Sequence, residues 1–375
     1  MSFIDNILYK KYTTKKISIF IVSFILIFGM IHTIVWFLYT KSILFPSENN
    51  KVGDLVRISC QTNSKHIRKN INTLKRTHLK ASQWNGQQVD ILTVGDSFSN
   101  GGGGGKNSFY QDYIETLYNK RVLNITPNVP NKHIETIISM YNNGMLDDIK
   151  PKVIILEVVE RFIVYTLAKE IKWEYTIGKE QFIDNMSRSI YREKPNYISI
   201  INKRNYDCIL NPIYYNFSEL PLDRNKMVYR SNLNKNMFSV VNSNTLLFTK
   251  IEIDFIKNNS IKNLTMVNNN LNHLSKILKL KGIDLIFMPV VDKYDLYSSY
   301  IINNKFPINT FFKFFNNLNK QYMYINTKKI LLPLIKKKKD VYFADDTHWS
   351  NIASQEVVSH IPISNILKNN KKNYE

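Results

Sequence analysis

The sequence predicts an α/β domain on a central parallel sheet, held behind one membrane-spanning helix. Three observations carry that expectation. From Asp90 onward, short apolar runs of strand length alternate with helical segments, which is the grammar of parallel strands joined by crossover helices. The run KVIILEV, Lys152 to Val158, is almost wholly apolar, as expected of a strand buried on both faces. The stretch Ile17 to Thr40 has no charged residue. At 1.5 Å per helical residue it would extend about 36 Å, enough to cross a hydrocarbon core of about 30 Å.

Taken in order, residues 1–16 form a basic tail with Lys10, Lys11, Lys15 and Lys16 ahead of the apolar stretch. By the positive-inside rule they hold the amino terminus in the cytoplasm, so the chain is expected as a single-pass protein of the inner (cytoplasmic) membrane. A cleaved signal peptide would have a shorter apolar region and end in small residues. Here residues 17–40 end in Trp36-Phe37-Leu38-Tyr39, an aromatic group suited to a membrane interface. The bulk of the chain is then expected in the periplasm or outside the cell.

Residues 41–87 read as a polar, basic connector with one short helix. Residues 88–164 supply the first part of the α/β domain: a strand over Val89 to Val94 closing on Gly95, a helix over Asn107 to Asn119, a short strand at Leu123 to Ile125, a helix over Ile134 to Leu146 and the KVIILEV strand. The pattern lapses over residues 165–260, which read as an inserted cap because so long an interruption usually carries structure or function of its own. It resumes over residues 261–375 with a helix at Leu264 to Lys281, strands at Asp284 to Val291 and Met323 to Ile325, a helix at Thr310 to Asn319, and the segment Val341 to Phe343.

The 375 residues carry a formal charge of +21, which raises the question of nucleic acid. The lysines are scattered among asparagines and isoleucines, and no nucleic-acid module accompanies them. An exported domain argues against that partner and leaves anionic lipid or an acidic glycan. The densest basic run, Lys336 to Lys339, reads as a solvated loop before a strand. Cys60 and Cys208 are compatible with one disulfide or with two buried thiols. No metal-ligand spacing involves either cysteine, so no structural zinc site is expected, and no cofactor is expected.

In open parallel sheets ligands bind beyond the carboxyl ends of the strands. Ser97 after the first strand, Glu157, Glu160 and Arg161 after the third, and Asp292 to Tyr294 after the fourth should therefore converge on one crevice, joined by Asp345-Asp346-Thr347-His348-Trp349. A serine hydroxyl needs an imidazole to take its proton and a carboxylate to fix the imidazole's tautomer. Ser97, His348 and an aspartate supply these parts, although Ser97 could equally cap the following helix. Asp345 and Asp346 compete as the orienting acid: a strand-like backbone would point Asp346 and His348 to one side, whereas a turn at Thr347 would bring Asp345 back. Asp96 is expected to shape the turn, and Trp349 to pack the loop. Gly101 to Gly105 followed by Lys106 misses the phosphate-loop spacing, with Asn100 and Asn107 in place of the required Gly and Ser/Thr. A flexible loop giving a bulky acceptor room beside Ser97 is expected instead. Arg161 reads as a substrate-positioning charge or as half of a structural Glu-Arg pair, and Lys293 as a crevice residue or a solvated lysine.

Together ILTVGDSFS, Ile91 to Ser99, and DDTHW, Asp345 to Trp349, resemble the SGNH hydrolase superfamily. DTHW, EVVER from Glu157 to Arg161 and PVVDKYDLY from Pro289 to Tyr297 look like its branch of bacterial polysaccharide O-acetyltransferases, the alginate O-acetyltransferase-like proteins. The resemblance covers about Asp90 to Arg161 and Gly282 to Ser354. It implies a three-layer domain with Ser97 as nucleophile and partial oxyanion hole, His348 as base and Asp346 as its orienting acid. Arg161 and Gly101 are candidate oxyanion or positioning residues. A polysaccharide is the implied acceptor, with acetyl delivered by a polytopic membrane acyltransferase. The GxND motif of ordinary members is missing, which weakens the reading as a carbohydrate esterase. A non-catalytic glycan-binding assembly protein is the other alternative.

Overall fold

The computed structural model describes residues 3–41, 45, 51–68, 73–127, 132–187, 200–217 and 227–363. Stretches of the connector, the insertion and the carboxyl-terminal tail named above lie outside these residues. The sheet has six parallel strands: β1 (Leu79–Lys80), β2 (Ile91–Val94), β3 (Val122–Ile125), β4 (Val153–Val159), β7 (Asp284–Val290) and β8 (Met323–Tyr324), in the order β1-β3-β2-β4-β7-β8. A separate antiparallel pair, β5 (Val228–Asn232) and β6 (Thr245–Thr249), lies between β4 and β7 in sequence. β2 and β4 are buried at every residue, which explains their apolar composition. After β2 the chain steps to β3 on one side and then to β4 on the other, so the strand order reverses at β2. A crevice forms at the carboxyl ends of strands where such a reversal occurs.

Two groups of helices accompany the sheet. Ile261–Lys279, capped by the Ser260 hydroxyl, packs on β7 and against Glu160–Leu167, Phe311–Asn316 and His133–Asn142. Asn351–Ser359, capped by Ser350, lies between Tyr110–Tyr118 and Thr327–Lys337. The helix expected over Ile134 to Leu146 is two helices, because the chain turns at Asn143-Gly144 before Met145–Ile149. Val341 to Phe343 forms no strand: only Tyr342 bridges to Trp349. Lys336 and Lys337 are solvated, as expected, but end the helix Thr327–Lys337, which the interior Pro333 had disguised.

The region expected as an insertion joins the main core through Ile171, Phe182, Leu233, Met237 and Phe238 as well as through β6. Its Leu246 and Phe248 enter the main core, while Leu247, pointing the other way, enters a small second cluster with Val35, Val52, Leu55, Val56, Cys60 and Cys208. Cys60 and Cys208 form a disulfide, which settles the open alternative of two thiols. It ties the short helix Asp54–Ser59 to the helix Lys203–Phe217. At the amino terminus Phe3–Val35 continues as a π-turn over Trp36–Thr40. Tyr12–Thr40 is long and apolar enough to cross a membrane.

Candidate active site

The turn after β2 is built around carboxylates that accept backbone amides. The buried Glu157 side chain at the end of β4 accepts from Asp96 N (3.0 Å), Ser99 N (3.2 Å) and Ser99 Oγ (2.8 Å). Asp96 in turn accepts from Phe98 N (3.0 Å) and Val159 N (2.8 Å), sewing the ends of β2 and β4 together. A Cβ at Gly95 would meet Ser99 Oγ at 2.1 Å and Glu157 Oε2 at 2.4 Å, so only glycine lets the strand reach this turn. Burial and the neighbouring Asp96 push the Glu157 carboxyl well above the usual carboxylate range. The amides of Asp96, Phe98 and Ser99 are thus taken. The N–H of the exposed Ser97 has no acceptor among the described residues and is available to an incoming oxyanion.

His348 approaches from the far end of the chain. Its Nε2 lies 2.7 Å from Ser97 Oγ and its Nδ1 2.6 Å from Asp346 Oδ1. The same carboxylate oxygen accepts the His348 backbone N–H at 3.0 Å, so Asp346 fixes both the ring and the backbone that carries it. The expected reason for this alignment is corrected: residues 344–348 form a tight loop closed by the Tyr342–Trp349 bridge, and the Asp346 side chain folds back over the turn. Asp345 points away and accepts from Gly53 N (3.0 Å) and Arg68 Nη1 (2.6 Å). Trp349 is buried with its ring edge-on to Phe98 and Tyr110, a packing role as expected.

Two of the supports of this loop, Arg68 and Asp54, come from places the sequence did not single out. Arg68, in the connector, is buried on the Phe343 ring and donates to Asp345, Asp346, Gly103 O and His66 O. Asp54 accepts from Thr347 N (2.8 Å) and Thr347 Oγ1 (2.5 Å), and its Oδ2 lies 3.9 Å from His348 Nδ1. Its own amide donates to Asp346 Oδ2 at 3.2 Å. Lys293 corrects both of its readings. It is fully buried and donates to the carbonyls of Phe343, Ala344 and Asp346 at 2.7, 3.0 and 3.1 Å. These carbonyls keep a buried ammonium partnered, although burial lowers its pKa to about 8.

The glycine run is also corrected. Residues 101–105 are packed, not loose: Gly101 backs onto Phe109 and Ser108, Gly103 onto Phe343 and Gly105 onto Arg68. It is Gly102, not Gly101, that lies against the imidazole, where a Cβ would meet His348 Cδ2 at 2.2 Å and Nε2 at 2.4 Å. Arg161 pairs with Asp292 rather than with either glutamate. Burial opposes its charge, yet Asp292, Glu252 and Asp96 outweigh that penalty and raise its pKa, so the guanidinium stays charged within electrostatic reach of His348. Glu160 instead accepts from Asp292 N and Asn309 Nδ2, both at 2.8 Å.

The electrostatics suit a proton acceptor. Burial would lower the His348 pKa, but the Asp346 charge, its hydrogen bond and Asp54 together raise it above the ordinary value. Burial would raise Asp346, but His348 and Arg68 hold it well below the usual range, so it stays ionised. Asp54, Asp346 and His348 also bring ligand-type atoms within 4.8 Å of one another. Every carboxylate oxygen among them already accepts a hydrogen bond from Thr347, His348, Arg68 or the Asp54 amide. Comparison with protein-family models, with curated proteins and with solved structures gave no match.

Proposed function

We propose that this protein is a membrane-anchored, extracytoplasmic serine O-acyltransferase of the SGNH type, which acetylates hydroxyls of a cell-surface or exported polysaccharide. One observation carries the chemistry: Ser97 Oγ, His348 Nε2, His348 Nδ1 and Asp346 Oδ1 form a continuous hydrogen-bonded line, with links of 2.7 and 2.6 Å, at the carboxyl end of β2. In the first half-reaction Ser97 Oγ attacks the acyl carbonyl carbon as its proton passes to His348 Nε2. The Ser97 amide meets the oxyanion. Collapse breaks the bond to the donor's leaving group, which takes the proton from His348. In the second half a sugar hydroxyl gives its proton to His348 and attacks the acyl-serine. Ser97 then leaves and recovers the proton. Arg161 is the charge that positions substrate beside this line.

The extracytoplasmic placement rests on the apolar helix Tyr12–Thr40 behind a lysine-rich tail, and on a disulfide, which suits an oxidising compartment. Acetyl would come from a polytopic membrane partner, as the resemblance to alginate O-acetyltransferase-like proteins implies. Hydrolysis by a carbohydrate esterase is the second reading, and the exposure of Ser97, which leaves water access to an acyl-enzyme, favours it specifically. The test labels one sample of the full-length protein with a serine-directed phosphonate and supplies a second, unlabelled sample with an acetyl ester, with and without an oligosaccharide. Adduct mass on Ser97 and acetylated sugar are expected. No adduct would overturn the catalytic reading, and free acetate alone in the presence of acceptor would replace transferase with esterase.

A further inference from the structure

The helix Lys203–Phe217 packs on the outer third of the apolar amino-terminal helix. Asn205 Nδ2 donates to His32 O (3.1 Å) and lies 3.0 Å from His32 Nδ1, and the Tyr206 ring sits 4.8 Å from the His32 ring and 6.2 Å from Phe28. His32, Val35, Trp36 and Thr40 are buried there, whereas residues 17–27 of the same helix are not. A histidine inside an apolar span is costly unless paired, and Asn205 pairs both its ring and its carbonyl. His32 lies one turn, about 6 Å, before Trp36. If the aromatic group from Trp36 marks the outer interface, the start of helix Lys203–Phe217 lies below it.

Beside this contact the helix carries exposed apolar side chains. Tyr206, Leu210 and Ile213 are exposed at i, i+4 and i+7, a single stripe, and Ile200 and Ile201 extend it at the amino end. Phe37 and Leu38, in the π-turn that this helix also contacts, are exposed as well. We infer that helix Lys203–Phe217 is a second membrane contact, its Tyr206, Leu210 and Ile213 face immersed in the outer leaflet of the membrane that the amino-terminal helix crosses. This inference rests on the reading of Tyr12–Thr40 as a membrane span.

The contact limits how far from the membrane the proposed chemistry takes place. Cys208 on this helix is bonded to Cys60, at the end of the helix that begins with Asp54, and the Asp54 amide donates to Asp346. By this route Asp346 stands about 30 Å or less from His32, counting 1.5 Å per helical residue. The crevice is thus held within about 30 Å of the membrane contact.

The test uses the full chain in nanodiscs of phosphatidylethanolamine and phosphatidylglycerol, carrying one spin label in turn at Phe24→Cys, Leu210→Cys, Ile213→Cys and Leu280→Cys. Leu280 is a strongly exposed residue of the α/β body and serves as the aqueous reference. Collision with oxygen should exceed collision with a water-soluble nickel chelate severalfold at Leu210 and Ile213, matching Phe24, with the reverse at Leu280. Water-like values at Leu210 and Ile213 beside lipid-like Phe24 would overturn the second contact and leave the span standing. Shielding from both reagents would mean protein, not lipid, covers the stripe, and would overturn it too. A water-like Phe24 would remove the span and this inference with it.

Discussion

The two halves of the proposed triad are held by opposite means. Ser97 sits on a turn whose supports are near neighbours in the sheet: Glu157 and Asp96 accept amides, and the glycine at 95 closes the approach. His348 sits on a loop held from a distance, by Lys293 on three carbonyls, Arg68 on two carboxylates and Asp54 on Thr347. Ser97 is placed by strand ends that the sheet positions anyway. His348 needs buried cations and anions drawn from three other segments, because a loop without strand hydrogen bonds must satisfy its carbonyls and amides some other way.

The largest effect should come from breaking either half outright. Ser97→Ala and His348→Ala should each lower kcat on an activated acetyl ester by about 10⁶-fold, and the double variant should be no worse than either, since the two act as one unit. Additive losses would mean that they do not. Next, Asp346→Asn should lose about 10⁴-fold in kcat by presenting the wrong tautomer of His348, while Asp345→Asn should lose under about tenfold. The second variant should melt earlier, because Arg68 and the Gly53 amide lose a charged acceptor. Equal kcat losses in the two variants would dissolve the distinction between orienting and anchoring aspartates.

Gly102→Ala should cost about 10²-fold in kcat with an unchanged fold, by forcing the imidazole off Ser97. Retention of full activity would mean the base loop tolerates displacement. The comparison sharpens on stability. Lys293→Met strands three buried carbonyls and should lower the unfolding free energy by about 3 kcal/mol. Glu157→Gln keeps an amide oxygen as acceptor where the raised pKa already favours a neutral acid, and should cost about 1 kcal/mol or less in denaturant titrations.

The smallest effect is on pH. The base works as neutral imidazole, and its pKa is raised, so activity should climb with pH through a midpoint above the ordinary histidine value. Asp54 is one of the charges that raise it, so Asp54→Asn should move that acid limb to lower pH. A limb that stays put in Asp54→Asn would assign Asp54 to Thr347 alone.

The same contrast explains what was legible beforehand. β2, β4 and β7 were readable because their continuous apolar runs, bounded by Gly or charge, are of strand length and too short for a typical helix. The serine turn was readable because it must follow such a strand. The β5–β6 pair was not: VYRSN and TLLFT are short, and β6 faces two different clusters, which erases the alternation that marks a half-buried strand. Arg68 and Asp54 were missed because they sit in a segment that reads as a connector, and nothing in a lone Arg or Asp announces a partner 277 or 293 residues away. Lys293 invited a solvated reading for the same reason, since burial of a lysine is decided by the carbonyls around it.

The sequence by itself determined the apolar amino-terminal helix, the parallel α/β frame, and the candidacy of Ser97 and His348 at its carboxyl edge, because these follow from local periodicity and from the topology such periodicity forces. Only the tertiary structure decided which aspartate faces the imidazole, that the glycine run is packed, that Arg161 takes Asp292, and that Cys60 bonds Cys208. Those outcomes depend on which buried polar groups find partners. Such pairing is a property of distances between segments that no local pattern encodes.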